Sequence, residues 1–321
     1  MTIPDAALAH AITISAPPET VYELIADNTH TPRLSPTVVH IERLEGDDRG
    51  DVIQRWVMDN GAPRTWRVAR TLDPEQGRIS FDQLRAAPPV AAMHGEWSIR
   101  PAAGGQTRVE LRHEWTLSGG DEETARRMAA RMDAGITAQL RGLKRFAENL
   151  EAVTAHELAE ETVVFVPGSV AEVSALLWDV ERWPETLSGC RAVTVSAEAE
   201  GCVLAEIGTV PGPGAAEPHG GTARRCCVRP SESLIVWKQT EGLPEFYRSL
   251  RGAARLTPLP GGVEVRVSRT DSLDPAAVEA AGWTRRDVAS RVEEFRSGGG
   301  LDPFTGIRRA EPLPGTASAP R

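Results

Sequence analysis

The sequence predicts an α+β chain made of two tandem copies of one domain, each a curved antiparallel sheet wrapped around a long C-terminal helix with an internal cavity. Three observations carry this. PPETVYELIADNTHTPRLSP (17–36) can be laid on SVAEVSALLWDVERWPETLS (169–188), with Val21, Leu24, Ile25, Asp27 and Pro32 falling on Val173, Leu176, Leu177, Asp179 and Pro184 at one constant offset. Each copy continues with strand-like runs separated by turn residues. Each then closes on a segment of helical period, Glu122–Asn149 in the first copy and about 276–297 in the second. The domains are read as 1–152 and 153–300, and the Gly- and Pro-rich tail, 301–321, is expected to be disordered.

Within the first copy the elements follow in order. His10–Ser15 opens as a strand, and Val21, Leu24 and Ile25 then recur at helical spacing until THTPRLSP breaks the helix. Strands follow at about 38–45, 50–58, 64–72, 77–84, 91–100 and 107–117, with turns at EGDDRG, NGAP, DPEQG and PAAGG. The closing helix begins with Asp121, Glu122 and Glu123, acids that the helix dipole favours there. Met128, Met132, Ile136, Leu140, Leu143 and Ala147 make its apolar stripe.

Bulk properties narrow the classes. The 321 residues carry 40% hydrophobic and 25% charged residues, enough for two cores. A net charge of −9 argues against nucleic-acid binding, which needs a basic field to displace counterions. No signal peptide and no 18-residue apolar run are found, so a cytoplasmic protein without membrane contact is expected. Cys190, Cys202, Cys226 and Cys227 form no CxxC pair and are read as reduced thiols. Among basic residues only Lys144 and Lys238 are lysines, a composition of GC-rich genomes.

Alternation assigns the cavity face of the first domain. It places Trp66, Val68, Arg70 and Leu72 inward from one strand, and Ile79, Phe81 and Gln83 from the next. Met93, Gly95, Trp97 and Ile99 follow, then Val109, Leu111, His113, Trp115 and Leu117. The face is aromatic and aliphatic, with Arg70, Gln83 and His113 as polar exceptions. An unpartnered buried polar group costs about 1–3 kcal/mol and a charge more. Such groups therefore point to ligand contact, a solvated cavity or pairing within the core. Pockets of this kind bind small molecules.

Other chemistries fail on motif. No HExxH, P-loop, GxSxG or dinucleotide fingerprint occurs. GDDRGD (46–51) sits at a hairpin turn, where Asp and Gly belong without a metal. PGPGAAEPHGG (211–221) has neither a following helix nor GK[ST], and is read as a mobile loop near the second cavity.

ISAPPETVYELIAD, TWRVAR, FDQLRAAPPVAAMHGEW and VELRHEW in the first domain, with WPETLSGC and LIVWKQT in the second, resemble the two-domain aromatase/cyclases of bacterial type II polyketide synthases. That family lies within the START/Bet v 1-like helix-grip superfamily, and the resemblance covers residues 8–297. It implies regiospecific first-ring aldol cyclisation and dehydration of a poly-β-ketone tethered to an acyl carrier protein. It implies type II polyketide synthase components as partners, and no metal or organic cofactor. The strand arginine and its upstream tryptophan match at Arg70 and Trp66, while Val68 stands where a serine is often found. In the second domain Arg225 matches the strand arginine, but Gly221 and Ala223 replace the aromatic and hydroxyl positions, so its pocket is read as degenerate.

The implied pocket clamps the chain with Trp66, Phe81, Met93 and Trp97, while Arg70 stabilises the enolate oxygen. His113, or a water held by Arg70 and Gln83, moves the proton. A START-like carrier of a lipid or polyketide, and a later-ring cyclase, are the alternatives.

Overall fold

The computed structural model describes residues 3–86, 88–119, 121–186, 190–209 and 222–297. The 211–221 loop, Gly221 and the 301–321 tail lie outside them. The chain divides into two compact units, the first running to Ala152 and the second starting at Val153.

The first unit opens with β1 (Ile3–Ile14), longer than the expected His10–Ser15. Helix α1 (Pro18–Ala26) follows with a proline in its first turn, where the missing N–H is harmless. The expected break holds a single helical turn, α2 (Thr31–Leu34), again started by a proline. Strands β2 (Val38–Gly46), β3 (Gly50–Asp59), β4 (Ala62–Asp73), β5 (Arg78–Gln83), β6 (Val90–Pro101) and β7 (Thr107–Leu117) complete a seven-stranded sheet of order β1-β7-β6-β5-β4-β3-β2. The two ends of the chain segment thus meet, β1 pairing antiparallel with β7.

Helix α3 (Glu122–Glu148) starts at the N-cap Asp121, whose carboxylate accepts from Thr124 N at 2.8 Å. Its stripe is unevenly buried. Ile136, Leu140, Leu143, Phe146 and Ala147 are enclosed, each large one contributing about 1.5–3 kcal/mol. Met128 and Met132, one to two turns nearer the N-terminus, are only half-buried and rest against Val90, Trp115 and Leu117. The C-terminal half is locked to β1, with Lys144 Nζ donating to Thr13 O (2.6 Å) and Glu148 accepting from Ser15 N (2.8 Å). The sheet is therefore gripped tightly at one end of the helix and loosely at the other. A short α4 (Leu150–Ala155) follows.

The second unit repeats the plan. β8 (Glu157–Val166) leads into α5 (Val170–Trp178), which carries a capping box between Ser169 and Glu172. The turn α6 (Trp183–Thr186) precedes β9 (Cys190–Ala199), β10 (Cys202–Thr209), β11 (Thr222–Ser231), β12 (Leu234–Glu241), β13 (Tyr247–Leu259) and β14 (Gly262–Leu273). The order β8-β14-β13-β12-β11-β10-β9 is that of the first sheet. The single closing helix expected at 276–297 is instead two, α7 (Pro275–Ala280) and α8 (Arg285–Ser297). Gly282 takes φ +64° between them, a left-handed conformation that stops α7. All four cysteines are buried free thiols. Among the described residues no helix is long and apolar enough to cross a membrane, and no cluster of potential metal ligands occurs.

Candidate active site

The inner face of the first sheet can be read off its register. Arg70 pairs with Phe81, Phe81 with Gly95, and Gly95 with His113. One row of side chains thus crosses β4, β5, β6 and β7, with Asp51 of β3 joined to Arg70 at its end. Gly95 is what lets the row close: a Cβ there would lie 2.1 Å from Phe81 Cζ. The Phe81 ring occupies that space and meets His113 edge-on, ring centroids 5.3 Å apart.

Arg70 does face inward, but it does not face open space. Its Nε and Nη2 donate to both oxygens of Asp51 (2.8 and 2.6 Å), and Nη2 and Nη1 also reach the carbonyls of Ala26 (3.0 Å) and Ile25 (3.3 Å). The side chains are 7% and 3% exposed. The guanidinium therefore caps the C-terminus of α1, where orphan carbonyls and the helix dipole welcome a cation. This differs from the substrate-facing cation expected from the strand pattern. The reason is Asp51, which opens β3 and was read only as a turn residue; Asn28 Nδ2 adds a long contact to it at 3.4 Å.

His113 stands alone. It is 8% exposed, and its Nδ1 is buried without a hydrogen-bond partner. Burial first, then the charges of Arg55 and His94, push its pKa down to about 4. The ring is neutral at neutral pH. The sign for stability follows: the unfolded chain binds the proton from pH 6.5 downward and the folded one resists it to about 4. Folding stability is therefore full above about 6.5 and is lost as pH falls through that window, by roughly 3 kcal/mol. Urea titrations at pH 7 and pH 4.5 are expected to show this loss in the wild type and about 2–3 kcal/mol less of it in His113→Leu. Equal losses in both would show the imidazole to be unperturbed.

The remaining expected residues divide. Trp66, Phe81, Gln83 and Met93 are half-buried. Gln83 and Met93, with Ala6 and Trp115, also touch an open hollow of about 480 Å³, but that hollow lies against the outer face of the sheet and not between sheet and helix. Most of its lining is outer-face: Asp82, His94, Arg112, Glu114 and Thr116, with Ala7 and Ala92. Trp97 is buried and pairs with Ile79 and Leu111, while Val68 is buried among Ile53, Val57, Trp66 and Phe81. Neither projects into the hollow. Arg225 of the second unit is fully enclosed, at 0% exposure, in a core that also holds Trp183 and Trp237. Trp183, aligned with Thr31 of the first repeat, is fully buried, and its indole donates to Leu177 O at 3.0 Å.

Besides His113, four side chains of the first unit bury a polar atom with no partner among the described residues: His10 Nδ1, Tyr22 Oη, Asn28 Oδ1 and Arg55 Nε. Tyr22 and Asn28 sit on and after α1, where the pattern spoke only of apolar spacing. Arg55 is legible in the sequence: it shares parity on β3 with Asp51, Ile53 and Val57.

The sequence profile of the family described as "Polyketide cyclase / dehydrase and lipid transport" matches residues 5–148. The chain is 28% identical over 304 residues to the granaticin polyketide synthase bifunctional cyclase/dehydratase of Streptomyces violaceoruber, covering 94% of this chain and 92% of that protein. It is 29% identical over 321 residues to the actinorhodin polyketide synthase bifunctional cyclase/dehydratase of Streptomyces coelicolor, covering 97% and 98%. The crystal structure of BexL, the di-domain ARO/CYC from the BE-7585A biosynthetic pathway, superposes with a TM-score of 0.76 at 25% identity, over 95% of this chain and 100% of that one.

Proposed function

Because the chain belongs to the family of two-domain polyketide aromatase/cyclases, we propose that its first unit carries out the first-ring cyclisation and dehydration of a poly-β-ketone delivered by an acyl carrier protein. The protein is a cyclase/dehydratase of aromatic polyketide biosynthesis. The observation that supports the finer reading is the orphaned Nδ1 of His113, held neutral against Phe81 on the inner face of the first sheet.

A poly-β-ketone has acidic methylenes and many carbonyls, so it cyclises unaided in several registers. Holding one register can supply several kcal/mol toward a ceiling of about 7–11. The half-buried Trp66, Phe81 and Met93 give an extended chain flat surfaces to lie on. A methylene then loses its proton to the neutral imidazole, the carbanion attacks a ketone carbon of the same chain, and the new alkoxide takes a proton. Loss of a second proton and of hydroxide, together one water, gives the ring double bond. An imidazolium with a pKa near 4 is a strong acid, suited to protonating the departing hydroxyl. Val68 supplies no hydroxyl, so no serine takes part at that position.

Incubation with a minimal polyketide synthase and its carrier protein is expected to turn a mixture of shunt products into one dominant aromatic product. His113→Leu is expected to cut that directed share by about 10²-fold or more while remaining folded at pH 7. An unchanged shunt mixture, with ligand retained by the wild type, would make the protein a carrier.

A further inference from the structure

We propose that Arg55, not Arg70, is the cation that meets the substrate, its guanidinium receiving a carbonyl or enolate oxygen of the bound poly-β-ketone. The inference rests on the cyclase reading above and adds a residue to it. On β3, alternate side chains share the inner face. Asp51 is bound to Arg70, and Ile53 and Val57 pack with Val68, Trp66 and Phe81, so Arg55 between them points the same way. Its backbone is fixed: Arg55 O accepts from Thr65 Oγ1 at 3.0 Å, and Gln54 beside it on the outer face holds both Thr65 and Arg67.

The two guanidiniums of this interior differ in how they are spent. Arg70 has a bidentate carboxylate and two carbonyls. Arg55 has a buried Nε with no partner, and among the described residues no carboxylate faces it. Burial and then the neighbouring charge of Arg70 lower its pKa to about 10, which still leaves it cationic at neutral pH. Its charge is also felt at His113, which lies on the same inner face of the sheet. Arg55 is half-buried, and an Nε that has lost water without gaining a partner is costly to keep. An oxygen that becomes negative during the reaction is the partner such a site lacks, and a donor already in place needs no reorganisation when charge develops.

The test compares wild type, Arg55→Met and Arg55→Lys in the reconstituted synthase, with thermal unfolding of each. Arg55→Met is expected to lower the directed product by about 10²-fold. Its melting temperature should equal or exceed the wild-type value, because an uncompensated charge has been removed. Arg55→Lys should keep part of the activity. Binding of 1,8-dihydroxyanthraquinone, an oxygen-rich aromatic probe followed by tryptophan quenching, should weaken at least tenfold in Arg55→Met. Wild-type direction of products that survives Arg55→Met overturns the proposal, and so does a melting temperature that falls by several degrees. A wild type that directs nothing overturns the cyclase reading instead. The probe then decides for Arg55 by itself: Arg55-dependent binding keeps it as a ligand contact, and Arg55-independent binding removes it.

Discussion

Arg70→Met is expected to destabilise the first unit by about 3–5 kcal/mol, because it strands the Asp51 carboxylate at 3% exposure. What remains around Asp51 is Asn28 at 3.4 Å and Arg43 at 4.0 Å, neither able to replace a bidentate fork. The carbonyls of Ile25 and Ala26 lose their donors too, and with them α1 loses its anchor on the sheet. Domains of this size hold roughly 5–15 kcal/mol in all, so the melting temperature should fall by ~10 °C or more. The double variant Asp51→Asn/Arg70→Met should recover part of the loss, since no unpaired charge is left. Arg70→Lys should lie between, keeping the charge and losing the planar fork. Circular-dichroism melts of the four proteins decide. A folded Arg70→Met with wild-type stability and no directed cyclisation would return Arg70 to the role of substrate contact.

This outcome shows which layer of the site a sequence can express. The strands were legible because their faces alternate strictly: His113, Trp115 and Leu117 on one side of β7 and Arg112, Glu114 and Thr116 on the other leave little choice. The closing helix was legible from its stripe and its acidic start. That Arg70 points inward was legible for the same reason. What it touches was not, since Asp51 lies nineteen residues away and looks like part of a turn. Partner identity is set by register between strands, and local pattern does not contain register. The same limit hid Gly95, whose missing side chain matters only because Phe81 pairs opposite it. It hid the broken helix of the second unit as well, where a lone glycine at 282 outweighs the helical spacing on either side.

The second large effect is expected at Asp271. In the repeat, Gly252 pairs with Arg269 as Gly95 pairs with His113, and the Trp237 ring lies over Gly252 as Phe81 lies over Gly95. The titratable group of the first unit is thus replaced by a cation, and that cation is neutralised on its own strand. Asp271, at 0% exposure, accepts from Arg269 Nε and Nη2 (2.9 and 2.8 Å), from Arg296 of α8 (2.7 Å) and from Tyr247 Oη (3.0 Å). Burial raises its pKa, but the hydrogen bonds and charge of Arg269, then of Arg296, more than offset this and leave it depressed. The stability it contributes is therefore present above the unfolded carboxyl range and lost as pH falls through its own lower value.

Asp271→Asn keeps the shape and removes the charge, leaving Arg269 buried beside a neutral amide and Arg296 of α8 with only its exposed partner Glu160. The expected cost is about 3–5 kcal/mol, read as a shift of the urea midpoint. Arg269→Leu/Asp271→Leu should restore part of it, because the buried cation is removed with its partner, while Tyr247 and Arg296 still lose theirs. If the second unit is a scaffold with its own cation tied off, the double variant should direct cyclisation as the wild type does. Loss of the directed product from that folded double variant would place chemistry in the second unit after all.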